Sequence, residues 1–166
     1  MQEHEQGEAD DATILLPDES ATAALAARLA PLARIGDVLA LWGTLGAGKS
    51  VFARAFIRTR GRPDEEVPSP TFTLVQMYPP TAPFEGTVYH FDFFRLSAPE
   101  EAYELGIEEA MIDGISLIEW PERVQLLLPA HRLNLTFQPG PRPQSRRVAI
   151  AGGGDWRQRL AEAGIG

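Results

Sequence analysis

The sequence predicts an α/β fold, a three-layer sandwich with helices on both faces of a mixed, mainly parallel sheet carrying β-hairpins. Three observations carry the prediction. Strand-like apolar runs alternate with helical periodicity, as where "DVLALW" (37–42) precedes "VFARAFIRTR" (51–60). "DVLALW" and "GISLIEW" (114–120) are apolar without alternation, the pattern of strands covered on both faces. Two other pairs of strand-like segments are joined by proline-containing links, which makes hairpins.

In chain order, residues 1–11 form an acidic segment read as a disordered tail, and 12–166 a single domain. "ATILL" (12–16) is the first strand. The alanine- and leucine-rich stretch after it is a helix capped by Asp18 or Ser20. "DVLALW" follows, and the helix beyond it ends near Gly61. "PSPTFTLVQMY" (68–78) and "TVYHFDFF" (87–94) make the first hairpin, and Ser97 with Glu100 gives a capping pattern before "EEAYELGI". "GISLIEW" is a further buried strand. "HRLNLTFQ" and "SRRVAIAG" make a second hairpin round "PGPRPQ", and "DWRQRLAEA" is a terminal helix.

Between "DVLALW" and its helix lies "GTLGAGKS", residues 43–50. The spacing G-x-x-x-x-G-K-S lets backbone N–H groups wrap a polyphosphate before the chain enters a helix whose N-terminus carries partial positive charge. Gly43, Thr44, Leu45, Gly46, Ala47 and Gly48 form the cradle, Lys49 reaches the β- and γ-phosphates, and the Ser50 hydroxyl can ligate Mg²⁺. Lys49 is the single lysine among fourteen arginines, so lysine stands where a compact ammonium is required.

Composition narrows the function classes. The 166 residues are 44% apolar and 23% charged, ordinary globular values. There is no cysteine, hence no disulfide framework or thiolate metal site, which agrees with a reducing, cytoplasmic setting. No run reaches the roughly twenty apolar residues of a membrane helix. A net charge of −8 opposes a broad electrostatic grip on nucleic acid.

A phosphate loop needs acidic partners to hold Mg²⁺ and orient the attacking group. Two carboxylates end apolar strands: Glu119 after "ISLI", and Asp92 within "VYHFDFF". Parallel strands deliver their C-terminal ends to the crevice of the phosphate loop. His90 reads as a structural histidine, and Arg142, Arg146 and Arg147 as solvated charge beside a turn. In "SPTFTL", Pro68 and Pro70 hold the chain extended beside the hydroxyls of Ser69, Thr71 and Thr73, which suits either a nucleotide-sensing switch or a plain proline-rich connection. A guanine-reading N-K-x-D motif is absent, which removes regulatory GTPases. A small-molecule kinase and a non-hydrolysing nucleotide scaffold stay as alternatives.

Taken in order, "GTLGAGKS", "SPTFTLV", "HFDFFRL", "ELGIEEAM" and "LIEWPER" closely resemble the TsaE family, the P-loop ATPases of tRNA threonylcarbamoyladenosine synthesis, over roughly residues 12–137. Phe94 stands where the family pattern H-x-D-x-Y-R has tyrosine, keeping the ring without the hydroxyl. The resemblance implies a P-loop NTPase-like fold that binds ATP and Mg²⁺. It also implies joint action with TsaB- and TsaD-like partners, whose TsaD subunit modifies adenosine 37 of tRNAs reading ANN codons, while hydrolysis here resets the complex. Contact with tRNA would then come only through the partners. By motif position Lys49 binds phosphate, Ser50 and Glu119 hold Mg²⁺, and Asp92 orients the attacking water, touching the metal directly or through water. Thr71 in the "SPTF" segment would sense the γ-phosphate and Glu19 would contact adenine. Trp120 would pack beside the nucleotide or in the core.

Overall fold

The computed structural model describes residues 10–44 and 46–166, so most of the acidic segment (1–9) and Leu45 of the cradle lie outside the described residues. Asp11, assigned above to the tail, belongs to the fold: its carboxylate accepts from Gly152 N and Arg157 Nε at 2.7 Å each. Those bonds fix the start of β1 (Ala12–Leu16).

Asp18 caps α1 (Glu19–Leu29), accepting from Ala21 N at 2.9 Å, and a short 3₁₀ turn (Ala30–Leu32) follows. Then come β2 (Val38–Trp42), α2 (Lys49–Arg60), β3 (Val75–Tyr78) and β4 (Thr87–Asp92). The single helix expected over "EEAYELGI" divides at Gly106, whose φ is 87°, into α3 (Glu101–Glu104) and α4 (Ile107–Asp113). Glu101, rather than the expected Glu100, turns back to cap, its Oε1 accepting from Ser97 N and Ala98 N. After β5 (Gly114–Glu119) a 3₁₀ segment (Pro121–Leu127) leads to β6 (Leu133–Pro139), β7 (Arg146–Gly152) and α5 (Trp156–Glu162).

Among the described residues seven strands form one sheet, ordered β1-β7-β6-β2-β5-β4-β3. The inner four, β6, β2, β5 and β4, run parallel, and the outer pairings are antiparallel. Side-chain alternation divides the core. On one face Leu39, Leu41, Leu117 and Leu133 meet Leu25, Leu29, Phe52 and Phe56 of α1 and α2. On the other Val38, Ala40, Phe91 and Ile118 meet Ala102, Ile107 and Ala110 of α3 and α4.

The strand expected over 68–78 begins only at Val75. Two prolines without N–H groups cannot pair in a ladder, and the segment folds into a turn closed by Leu74 N on Pro70 O at 2.6 Å.

A buried ion pair ties α5 to the entrance of β2. Arg159 donates to both carboxylate oxygens of Asp37, at 2.6 and 3.1 Å, with side chains 9% and 6% exposed. Burial works against the Arg159 charge, but Asp37 and Asp155 overcome it and raise the guanidinium above its ordinary pKa. Asp37→Ala leaves Arg159 only the half-exposed Asp155 as a charged partner, so unfolding stability should fall by about 1.5–3 kcal/mol in urea denaturation.

Candidate functional site

β2 is the central strand from which the phosphate loop leaves. Gly43 takes a φ of 140° and sits so close to β6 that a Cβ would stand 2.9 Å from Phe137 O. No other residue fits there. Gly48, at φ 109°, turns the chain into α2, so Lys49 and Ser50 start the helix and its unpaired N–H groups face the loop.

The sheet brings the carboxylates to this helix end. Val88, His90 and Asp92 alternate along β4, as do Ile115, Leu117 and Glu119 along β5, so both acids finish rows on the α2 face. Asp92 and Glu119 are direct partners in the parallel register. Both are nearly buried, at 4% and 3% exposed. Ser50 Oγ lies 3.4 Å from Glu119 Oε1. Lys49 Nζ donates to Gly43 O at 2.6 Å and lies 3.8 Å from the centroid of the Trp120 ring. Burial lowers the Lys49 pKa below its ordinary value, while the negative charges of Glu119, Glu122 and Asp92 pull it back up.

The proline-rich segment reaches the same place. Thr71 Oγ1 donates to Asp92 Oδ2 at 3.1 Å and touches Ser69 Oγ at 2.6 Å, while Asp92 Oδ1 accepts from Phe94 N. Trp120 adopts a left-handed φ of 59°, a conformation costing on the order of 1–3 kcal/mol in a bulky residue. It is held there by Lys49 on its ring and by Phe94, whose ring centroid lies 4.9 Å away. Phe94 thus supplies packing without a tyrosine hydroxyl.

Most of these groups line one cleft of about 340 Å³. Of the residues read from the sequence, Gly46, Ala47, Gly48, Lys49, Ser50, Thr71, Asp92, Glu119, Trp120 and Glu19 all face it. Gly43 and Thr44 do not; Gly43 is committed to packing on Phe137, and Thr44 O accepts from Ala47 N within the loop.

Two residues at the site carry more than their sequence reading gave them. Arg146, taken as solvated, bridges to the loop, its Nε and Nη2 donating to Gly46 O at 3.2 and 2.8 Å. Because β6 runs parallel to β2, the β6–β7 turn lies at the same sheet edge as the loop, and Arg146 lines the cleft with Gln144. His90 Nε2 lies 2.7 Å from Glu119 Oε2. Its spacing two residues before Asp92 was the available signal, since it puts both on one face.

A family model described as "Threonylcarbamoyl adenosine biosynthesis protein TsaE" matches residues 16–148. The chain belongs to the TsaE family. Among curated relatives, a Rickettsia felis protein is 44% identical over 115 residues, and a Bacillus subtilis protein 36% identical over 125. Both bear the name tRNA threonylcarbamoyladenosine biosynthesis protein TsaE. The first match covers 69% of this chain and 66% of that protein, the second 74% and 73%. The P-loop NTPase-like α/β fold of this TsaE-family chain is shared with the crystal structure of Bacillus subtilis YdiB, with a TM-score of 0.71, 27% identity and 90% of each chain covered.

Proposed function

We propose that the chain binds and hydrolyses Mg·ATP in support of tRNA threonylcarbamoyladenosine formation, acting with TsaB- and TsaD-like partners and resetting their complex between turnovers. The observation that carries the reading is the convergence of Lys49, Ser50, Glu119 and Asp92 on one cleft at the end of β2. The relatives' names supply the pathway.

The donor set fits a magnesium ion carried in with a nucleotide. Mg²⁺ takes one or two protein oxygens and fills its octahedron with water and phosphate oxygens. Among the described residues there is no group of three His, Cys, Asp or Glu able to hold a metal alone, whereas the Ser50 hydroxyl and Glu119 Oε1 lie side by side. Ser50 and Glu119 would hold the ion, and when bound it neutralises charge on the transferred phosphoryl group.

The chain's own residues do the rest. Lys49 exchanges its contact with Gly43 O for phosphate oxygens, and the loop N–H groups hold the polyphosphate. Arg146 keeps the Gly46 carbonyl turned aside and adds positive charge to the cleft. Asp92 orients the attacking water, and Thr71, bonded to Asp92, links that water to the exposed Phe72 beside it. A nucleotide-dependent change in this segment can bias a partner interface by roughly 1–3 kcal/mol.

Among the described residues no helix is long and apolar enough to cross a membrane. With a net charge of −8, tRNA contact is assigned to the partners. Single-turnover release of γ-phosphate should be slow for the isolated chain and rise when TsaB- and TsaD-like proteins are added, with negligible tRNA retention in filter binding near physiological salt. Partner-independent turnover would favour a stand-alone enzyme. Absent hydrolysis under all conditions would favour a scaffold.

A further inference from the structure

His90 takes no part in the steps above, yet it is buried directly against Glu119, which lines the cleft. Its Nε2 lies 2.7 Å from Glu119 Oε2, and the two side chains are 2% and 4% exposed. A carboxylate can only accept, so this contact makes Nε2 the protonated nitrogen. Nδ1 is buried and finds no partner among the described residues. An apolar side chain would fill the space without orphaning a polar atom, so packing does not account for a histidine here.

The geometry of Glu119 does. Its oxygens are divided: Oε2 is taken by His90, and Oε1 lies beside the Ser50 hydroxyl. A glutamate held at one oxygen has little freedom to rotate the other away. The row on β4 therefore brings two groups to Glu119: Asp92, which lines the cleft beside it, and His90, buried against it.

We infer that His90 is a positioning residue that clamps Glu119 Oε2 and so presents Oε1, together with Ser50 Oγ, to the divalent cation that accompanies the nucleotide. The inference rests on the reading of Glu119 as a metal-holding residue. Partners that orient metal-binding groups typically matter by 10–100-fold in metal affinity.

The test is a titration of the full chain, saturated with ADP, by Mn²⁺, with free Mn²⁺ read by electron paramagnetic resonance. Metal-free ADP affinity serves as the measure of an intact fold. His90→Leu should leave metal-free ADP binding unchanged and raise the Mn²⁺ Kd by about 10–100-fold. His90→Gln, whose amide can place an N–H near the Nε2 position, should recover most of the loss. Wild-type Mn²⁺ affinity in His90→Leu, or a His90→Gln variant no better than it, would overturn the inference. If His90→Leu also loses metal-free ADP binding, His90→Asn decides, since its shorter amide ends near the Nδ1 position and cannot reach Glu119. The same loss of Mn²⁺ affinity supports the clamp, and wild-type affinity overturns it. Glu119→Gln separates the two levels: undiminished Mn²⁺ binding in that variant would remove Glu119 from the metal and take the parent reading with it.

Discussion

Asp92→Asn should bind Mg·ATP as the wild type does and hydrolyse it on the order of 10²-fold or more slowly. The asymmetry follows from where the carboxylate sits. One oxygen accepts from Phe94 N and the other from Thr71, and neither lies against the loop carbonyls or Lys49 Nζ. An amide keeps one acceptor and the same shape, and the Thr71 hydroxyl can reverse its role, so fold and binding survive. What is lost is the negative charge that orients and receives the proton of an attacking water. Calorimetry for binding and rapid-quench single turnover for hydrolysis would separate the two, and normal hydrolysis would move the water-orienting role elsewhere.

Lys49→Ala should abolish tight ATP binding. A charge-assisted hydrogen bond to phosphate is worth about 1.5–3 kcal/mol, so its loss alone weakens affinity by roughly 10–150-fold. Lys49→Arg should not rescue it, because a planar, forked guanidinium does not reproduce the compact point charge of an ammonium at the phosphates. Proton loss adds a second signature. Because burial lowers the Lys49 pKa below 10.5, wild-type affinity should begin to fall below that pH as the cation disappears, and the alanine variant should lack this slope. Unchanged ATP affinity in Lys49→Ala would end the phosphate-cradle reading.

Much of this was legible in the residues because the strongest physical constraints are local. G-x-x-x-x-G-K-S between a buried strand and a helix marked the loop that leaves β2, and apolar runs ending in Glu119 and Asp92 marked two acids that line the cleft beside it. Pairing was the harder part. That Asp92 and Glu119 are register partners, and that β6 lies beside β2 with its turn next to the loop, depends on strand order. No periodicity within one segment reports that order. Arg146 was therefore misread as solvated, and the contact of His90 with Glu119 was not foreseen. The prolines at 68 and 70 marked an interruption that the β-like composition of the segment overrode, and the strand was started seven residues early.

The central claim is that one cleft holds polyphosphate on the loop from Gly46 to Ser50 and a divalent cation between Ser50 and Glu119. A crystal of the full chain grown with Mn²⁺ and a non-hydrolysable ATP analogue tests it most directly through anomalous scattering. The predicted result is a single manganese peak against Ser50 Oγ and Glu119 Oε1, with the γ-phosphate facing Asp92. Nucleotide bound outside the loop, or manganese held away from both side chains, would contradict it.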